Sequence, residues 1–249
     1  LDFGTDFADI ISVKQHDFAL GDPLEAPDLP PLAPALFDET LSRILLQEPQ
    51  GRSGRTHVVL SRDGHGQGGV VRYPIKLAPH GAWEVTVDVA VSLTGEIERP
   101  ERVQRRFGTE RARVRESLDA WSLRLPRLVT TWDELGHCFD QSVADLAALR
   151  LRHGNRSGPL PAAGMPWFMT VFGRDTIITS LQTMLLGPEL AVSALETLAA
   201  LQARTDDPAI DAEPGKIVHE LRAGRAAEKW FARYYGTVDA TPLYLVLLS

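Results

Sequence analysis

Residues Trp83–Leu93 alternate strictly: every odd position is apolar and every even one is polar or small. A period of two predicts a β-strand with one face buried and one wet. Val58-Val59-Leu60 and Val70-Val71-Arg72-Tyr73 flank a glycine-rich stretch and predict a hairpin. Phe7–Val13 is a further strand candidate, and Asp38–Gln47 reads as a short helix. Between these lie Asp22–Pro34, with prolines at 23, 27, 30, 31 and 34. Proline removes backbone donors, so this is expected to be a surface loop.

Past Glu101 the periodicity changes. Arg102, Arg105, Arg106, Arg111, Arg113 and Arg115 interleave with Glu101, Glu110 and Glu116, the texture of a solvated helix or connector. Leu135–Arg152 then places Phe139, Val143, Leu146 and Leu149 at spacings of three and four, one face of a helix. A second helix is expected over Asp175–Leu186. Gly187-Pro188 breaks it and opens a third carrying Leu190, Ala194, Leu195, Leu198 and Leu201 in register. A fourth begins near Asp239. The expected organisation is multidomain β plus α: a β domain over 1–97, a connector with a helix over 98–130, and a helical domain over 131–249.

Composition narrows the function classes. The 249 residues are 44% hydrophobic and 24% charged, suited to packed domains. With 26 basic and 33 acidic residues the net charge is −7, which makes nucleic acid and anionic membranes poor partners and favours an uncharged ligand. The lone Cys138 allows no internal disulfide and suits a reducing, cytoplasmic setting. No run is apolar enough to span a bilayer. The chain opens without Met or a signal-peptide pattern and stops inside the apolar run Leu243–Ser249, so both ends are read as cuts in a longer protein.

Two motifs lose their interest on inspection. Arg62–Gly69 has the glycines of a phosphate loop, but β-branched residues and Pro74 follow it instead of a helix, so a hairpin is expected. His137-Cys138 has no second ligand pair and sits in a helical pattern, so a structural role is expected.

Three later clusters carry chemistry. Pro161–Thr176 is an aromatic loop that enters a helix, with Trp167, Phe168 and Phe172 beside Arg174-Asp175. Aromatic faces cover the C–H side of a sugar ring while charged groups bond its hydroxyls; equally, Asp175 is placed to be a plain helix N-cap. His219-Glu220-Leu221-Arg222 follows a glycine turn and lacks the second histidine of a zinc helix. It is either a polar site or an ordinary surface loop. Trp230–Pro242 repeats the first design, with aromatics ahead of an aspartate that opens a helix; Thr237 or Asp239 is placed to cap it.

Met165-Pro166-Trp167-Phe168 leading to Phe172-Gly173-Arg174-Asp175-Thr176, then Gly215–Arg222, then Tyr234–Leu243, resemble in order and spacing the amylo-α-1,6-glucosidase, or glycogen-debranching, family. Phe3–Ile10 resembles the end of a strand in that family's N-terminal β-sandwich. The resemblance implies a partial antiparallel β-sandwich followed by the first helices of an (α/α)6 toroid, as in glucoamylase and trehalase. It implies an inverting glycoside hydrolase that removes α-1,6-linked glucose from glycogen-type glucans, with two carboxyl groups and no metal or organic cofactor. Trp167, Phe172, Arg174, Asp175, His219, Glu220, Arg222 and Asp239 would bind an α-glucan or oligosaccharide. The catalytic acid and base would lie beyond Ser249, leaving the fragment itself inactive. Arg225 departs from the family's acidic or small residue after Gly224. A trehalase or mannosyl-oligosaccharide glucosidase on the same toroid, and a non-catalytic carbohydrate-binding or scaffold protein, are the competing readings. Oligomeric state is left open.

Overall fold

The computed structural model describes residues 1–8, 10–17, 28–49, 54–92, 108–153, 158–223, 227 and 230–249. Residues 22–27 of the proline-rich loop, 101–107 of the charged stretch, and Arg225 lie outside them. The described residues have mixed α and β content, with a four-stranded antiparallel sheet and six helices. The chain divides into two compact units, Leu1–Arg113 and Val114–Ser249.

The first unit begins with α1 (Ile10–Asp17), where a strand over Phe7–Val13 was expected. Phe7, just ahead of it, has φ 53°, outside the extended region that a strand needs. Next come β1 (Ala35–Asp38) and β2 (Arg43–Gln47), replacing the short helix expected over Asp38–Gln47. The Asp38 carboxylate accepts from the Leu41 amide at 3.2 Å, and Ser42 turns the chain at φ 44°. Ile44 and Leu46 then point inward on alternate positions, a strand period.

The central strand β3 (Arg55–Leu60) pairs with β2 on one side and with β6 (Val87–Ser92) on the other, giving the order β1-β2-β3-β6. The hairpin expected between Val58–Leu60 and Val70–Tyr73 is therefore not the one formed. Instead β4 (His65–Gln67) pairs with β5 (Val70–Arg72), turning at Gly68-Gly69, so the glycine-rich stretch makes its own hairpin. Gly68 has φ +59°, which glycine adopts freely. Ile44, Leu46, Val58, Leu60 and Val71 form the core, with Phe3, Phe37 and Tyr73 packed against it. The alternating run is a strand only from Val87, and its apolar side is not buried. Val89 and Val91 are 58% and 66% exposed, and among the described residues β6 pairs only with β3.

The second unit contains most of α2 (Thr109–Ser122), then α3 (Asp133–Ala148), α4 (Gly173–Gln182), α5 (Glu189–Leu201) and α6 (Ala240–Leu248). Two-residue strands β7 (Arg150–Leu151) and β8 (Leu160–Pro161) pair with each other, as do β9 (Glu220–Leu221) and β10 (Arg233–Tyr234). The helical periods are realised: Leu190, Ala194, Leu198 and Leu201 of α5 are all buried. Ile177, Leu198, Ile217 and Val218 share one core with Leu160, Val171, Tyr235 and Ala240. Each fully buried aliphatic there is worth about 1.5–3 kcal/mol. A smaller cluster of Trp121, Leu146, Ala147 and Leu190 joins α2, α3 and α5, with the Arg150 guanidinium 4.5 Å from the Trp121 ring centre. Among the described residues, no helix is long and apolar enough to cross a membrane.

Candidate functional site

The three sequence clusters are joined through their backbones. Leu221 N–H donates to Val171 O at 3.1 Å and Gly173 N–H to His219 O at 2.9 Å. On the opposite side, His219 N–H donates to Tyr234 O at 2.7 Å and Arg222 N–H to Ala232 O at 3.1 Å. The segment His219–Arg222 thus lies between the entry to α4 and β10. Thr170 Oγ1 adds a bond to Leu221 O at 3.1 Å.

Gly173 permits the approach. A Cβ there would fall 2.0 Å from the Val218 carbonyl oxygen and 3.4 Å from the Ala240 Cβ. Its absence lets the first turn of α4 pack beside the first turn of α6, and this brings Arg174 to Asp239. Arg174 Nη1 lies 3.5 Å from Asp239 Oδ2, and its Nε lies 4.0 Å from Asp175 Oδ2. Residues 65 positions apart in the chain therefore form one cation between two carboxylates. Their side chains are 48%, 37% and 38% exposed for Arg174, Asp175 and Asp239.

Neither aspartate acts as a helix cap. Phe172 holds the N-cap position of α4, and Asp175 lies within the first turn, where the helix dipole favours a carboxylate. Asp239 does occupy the N-cap position of α6 but makes no capping bond. Its Oδ1 accepts from Thr237 Oγ1 at 2.5 Å instead. That hydroxyl holds the Asp239 carboxyl below its ordinary range; partial burial opposes the shift, and the Arg174 charge adds to it.

Around this cluster the remaining candidates divide by role. Phe172 is buried, with the rings of Phe168 and His219 edge-on at 5.7 and 6.0 Å and the Arg222 guanidinium 5.4 Å from its centre. It packs as a wall behind His219 and Arg222. Glu220 and Arg222 form an ion pair with side chains only 10% and 8% exposed. They sit two residues apart along extended backbone, which puts them on one face. The pair is buried, with Glu220 in β9 and Arg222 just past it, and is not an exposed surface loop. Arg222 also reaches Trp167 O at 3.4 Å, fixing the aromatic loop. Trp167 is half-buried. The His219 ring stands between Phe172 and Tyr234, with its Nδ1 buried and unbonded.

Two partners were not anticipated. Tyr234 Oη donates to Asp211 Oδ2 at 2.6 Å, and that bond raises the tyrosine pKa. A side chain at Gly236 would strike both groups. Thr237 was read only as a cap, whereas its contact is the Asp239 carboxylate. Two concavities of this unit, of about 420 and 720 Å³, lie along α3, and none of the eight candidate residues lines either. Among the described residues, no three or more His, Cys, Asp or Glu side chains are grouped to hold a metal ion.

Comparison with known proteins returns no matching protein-family model, and no curated protein matches the chain.

Proposed function

We propose that Arg174, Asp175 and Asp239 hold the hydroxyls of one glucose unit of an α-glucan, in a glycoside hydrolase of the glycogen-debranching type acting on α-1,6 branches. The carrying observation is the Arg174 bridge between two carboxylates from separate helix starts. Asp175 is engaged only at 4.0 Å and retains most of its acceptor sites for hydroxyl groups. Asp239 is kept ionised by Thr237 and Arg174, the form that accepts charge-assisted bonds. Trp167 supplies the apolar face, and the Glu220–Arg222 pair orients the loop that carries it. In this reading the two units belong to a β-sandwich and an (α/α)6 toroid. Hydrolysis would invert the anomeric centre through an acid and a base that we do not assign among residues 1–249.

Calorimetric titration with isomaltose and panose tests the reading. Asp175→Asn is expected to weaken binding by about 1.5–3 kcal/mol, the worth of hydrogen bonds to a charged group. Equal affinity in wild type and variant would leave Asp175 with only its dipole role in α4. No binding by the folded wild-type chain would remove the sugar assignment altogether.

A further inference from the structure

We propose that the first unit carries its own saccharide-binding site, on the wall made by Arg62, Asp63, Tyr73 and Trp83. These residues, with Ser61 and His65, line a concavity of about 640 Å³, within the roughly 300–1,000 Å³ usual for small-molecule sites. The Tyr73 and Trp83 rings stand 5.0 Å apart and tilted by 55°, and the Arg62 guanidinium lies 5.9 Å from the Trp83 ring centre.

The wall is fixed by its own hydrogen bonds. Arg62 Nε donates to Glu84 O, and Tyr73 Oη donates to Arg62 O at 3.2 Å. Ser42 Oγ donates to Asp63 Oδ1. Ser61 exchanges two bonds with Thr86, N to O at 3.0 Å and Oγ from N at 2.7 Å. The connection between β3 and β4 is thereby tied to the segment ahead of β6 before any ligand arrives. Preorganisation of this kind lowers the entropy lost on binding.

The chemistry selects an uncharged, hydroxyl-rich ring. Arg62 keeps its terminal nitrogens as donors, and Asp63 keeps Oδ2 as an acceptor. One positive and one negative group side by side suit paired hydroxyls and disfavour a phosphate. Half-buried aromatic rings beside them supply the surface for a C–H face. Burial, then the Asp63 charge, raises the Tyr73 pKa, and its hydroxyl oxygen stays free to accept while the proton is held by Arg62 O. The choice of an α-glucan as probe rests on the reading of the Arg174 cluster, while the geometry of this wall does not depend on it.

The chain has five tryptophans, so 5-fluorotryptophan labelling of the full 249 residues gives five fluorine resonances, with Trp83 and Trp167 assigned through their phenylalanine variants. Titration with maltohexaose is expected to move the Trp83 resonance saturably. Arg62→Ala and Asp63→Asn should each weaken that response about tenfold, and Asp175→Asn should leave it unchanged. A Trp83 resonance that stays still in the folded wild-type chain overturns the proposal, whatever Trp167 does. A moving Trp83 with a stationary Trp167 supports it while counting against the Arg174 cluster as a sugar site. An equal response of Trp83 to uridine overturns the saccharide assignment in favour of general aromatic stacking.

Discussion

Asp239 shows how one hydroxyl redirects a residue. Aspartate ahead of an apolar helix is ordinarily a cap, yet Thr237 and Arg174 draw its carboxylate away from the amides of α6. Because the Thr237 bond is the leading cause of its lowered pKa, Thr237→Val is expected to raise that pKa toward the ordinary carboxylate range. Carbon-detected NMR titration of the carboxyl would read it, and an unmoved midpoint would shift the cause to Arg174. The sign follows from linkage. A depressed folded pKa contributes stability that is present above the unfolded value and lost as pH falls through the folded one. Gly173 is the second such residue. A Cβ placed 2.0 Å from the Val218 carbonyl meets backbone, which has little room to yield. Gly173→Ala should destabilise the second unit by about 3 kcal/mol, the upper end of overpacking costs. Thermal melting would check this, and an unchanged melt would mean that α4 moves away from the Val218 carbonyl at little cost.

At the scale of elements, β9 is two residues long and still organises the site. Glu220 in β9 and Arg222 just past it form a buried pair, so removing one partner leaves an uncompensated charge. Glu220→Ala or Arg222→Ala is expected to cost about 3–5 kcal/mol, whereas the Glu220→Leu, Arg222→Met double variant should be close to neutral. Urea denaturation of the three proteins tests this, and equal losses in all three would mean that the pair carries a net stabilising role. The helices α3 and α5 were legible because three- and four-residue spacing persists over several turns. β2 was not read, although Ile44 and Leu46 alternate, because the run is short and its turn depends on the Asp38 carboxylate. The two loops of like design each carry an aspartate near a helix start, and it is the resemblance that implies Arg174, Asp175 and Asp239 meet one ligand. The Tyr234–Asp211 bond, spanning 23 residues, has no local signal. The Glu220–Arg222 pair is not legible as a pair, because only extended backbone puts residues two apart on one face.

Over the whole molecule, a net charge of −7 provides weak mutual repulsion between chains, set against apolar surface that the described residues leave uncovered. Val89 and Val91 of β6 are both exposed, and among the described residues β6 pairs only with β3. An edge strand with exposed β-branched side chains is a template for pairing with another chain. The exposed Leu245, Val246 and Leu248 of α6 form a second apolar surface without that backbone template. The chain is therefore expected to self-associate with rising concentration chiefly through β6. Val91→Lys places a charge on that edge, and at an exposed position it should change folding stability by no more than about 0.5 kcal/mol. Sedimentation velocity over a concentration series should show less association for Val91→Lys than for wild type at the same melting temperature. Unchanged association in Val91→Lys, with relief in Leu245→Lys, would assign the contact to α6, since only the helix surface depends on side-chain burial alone.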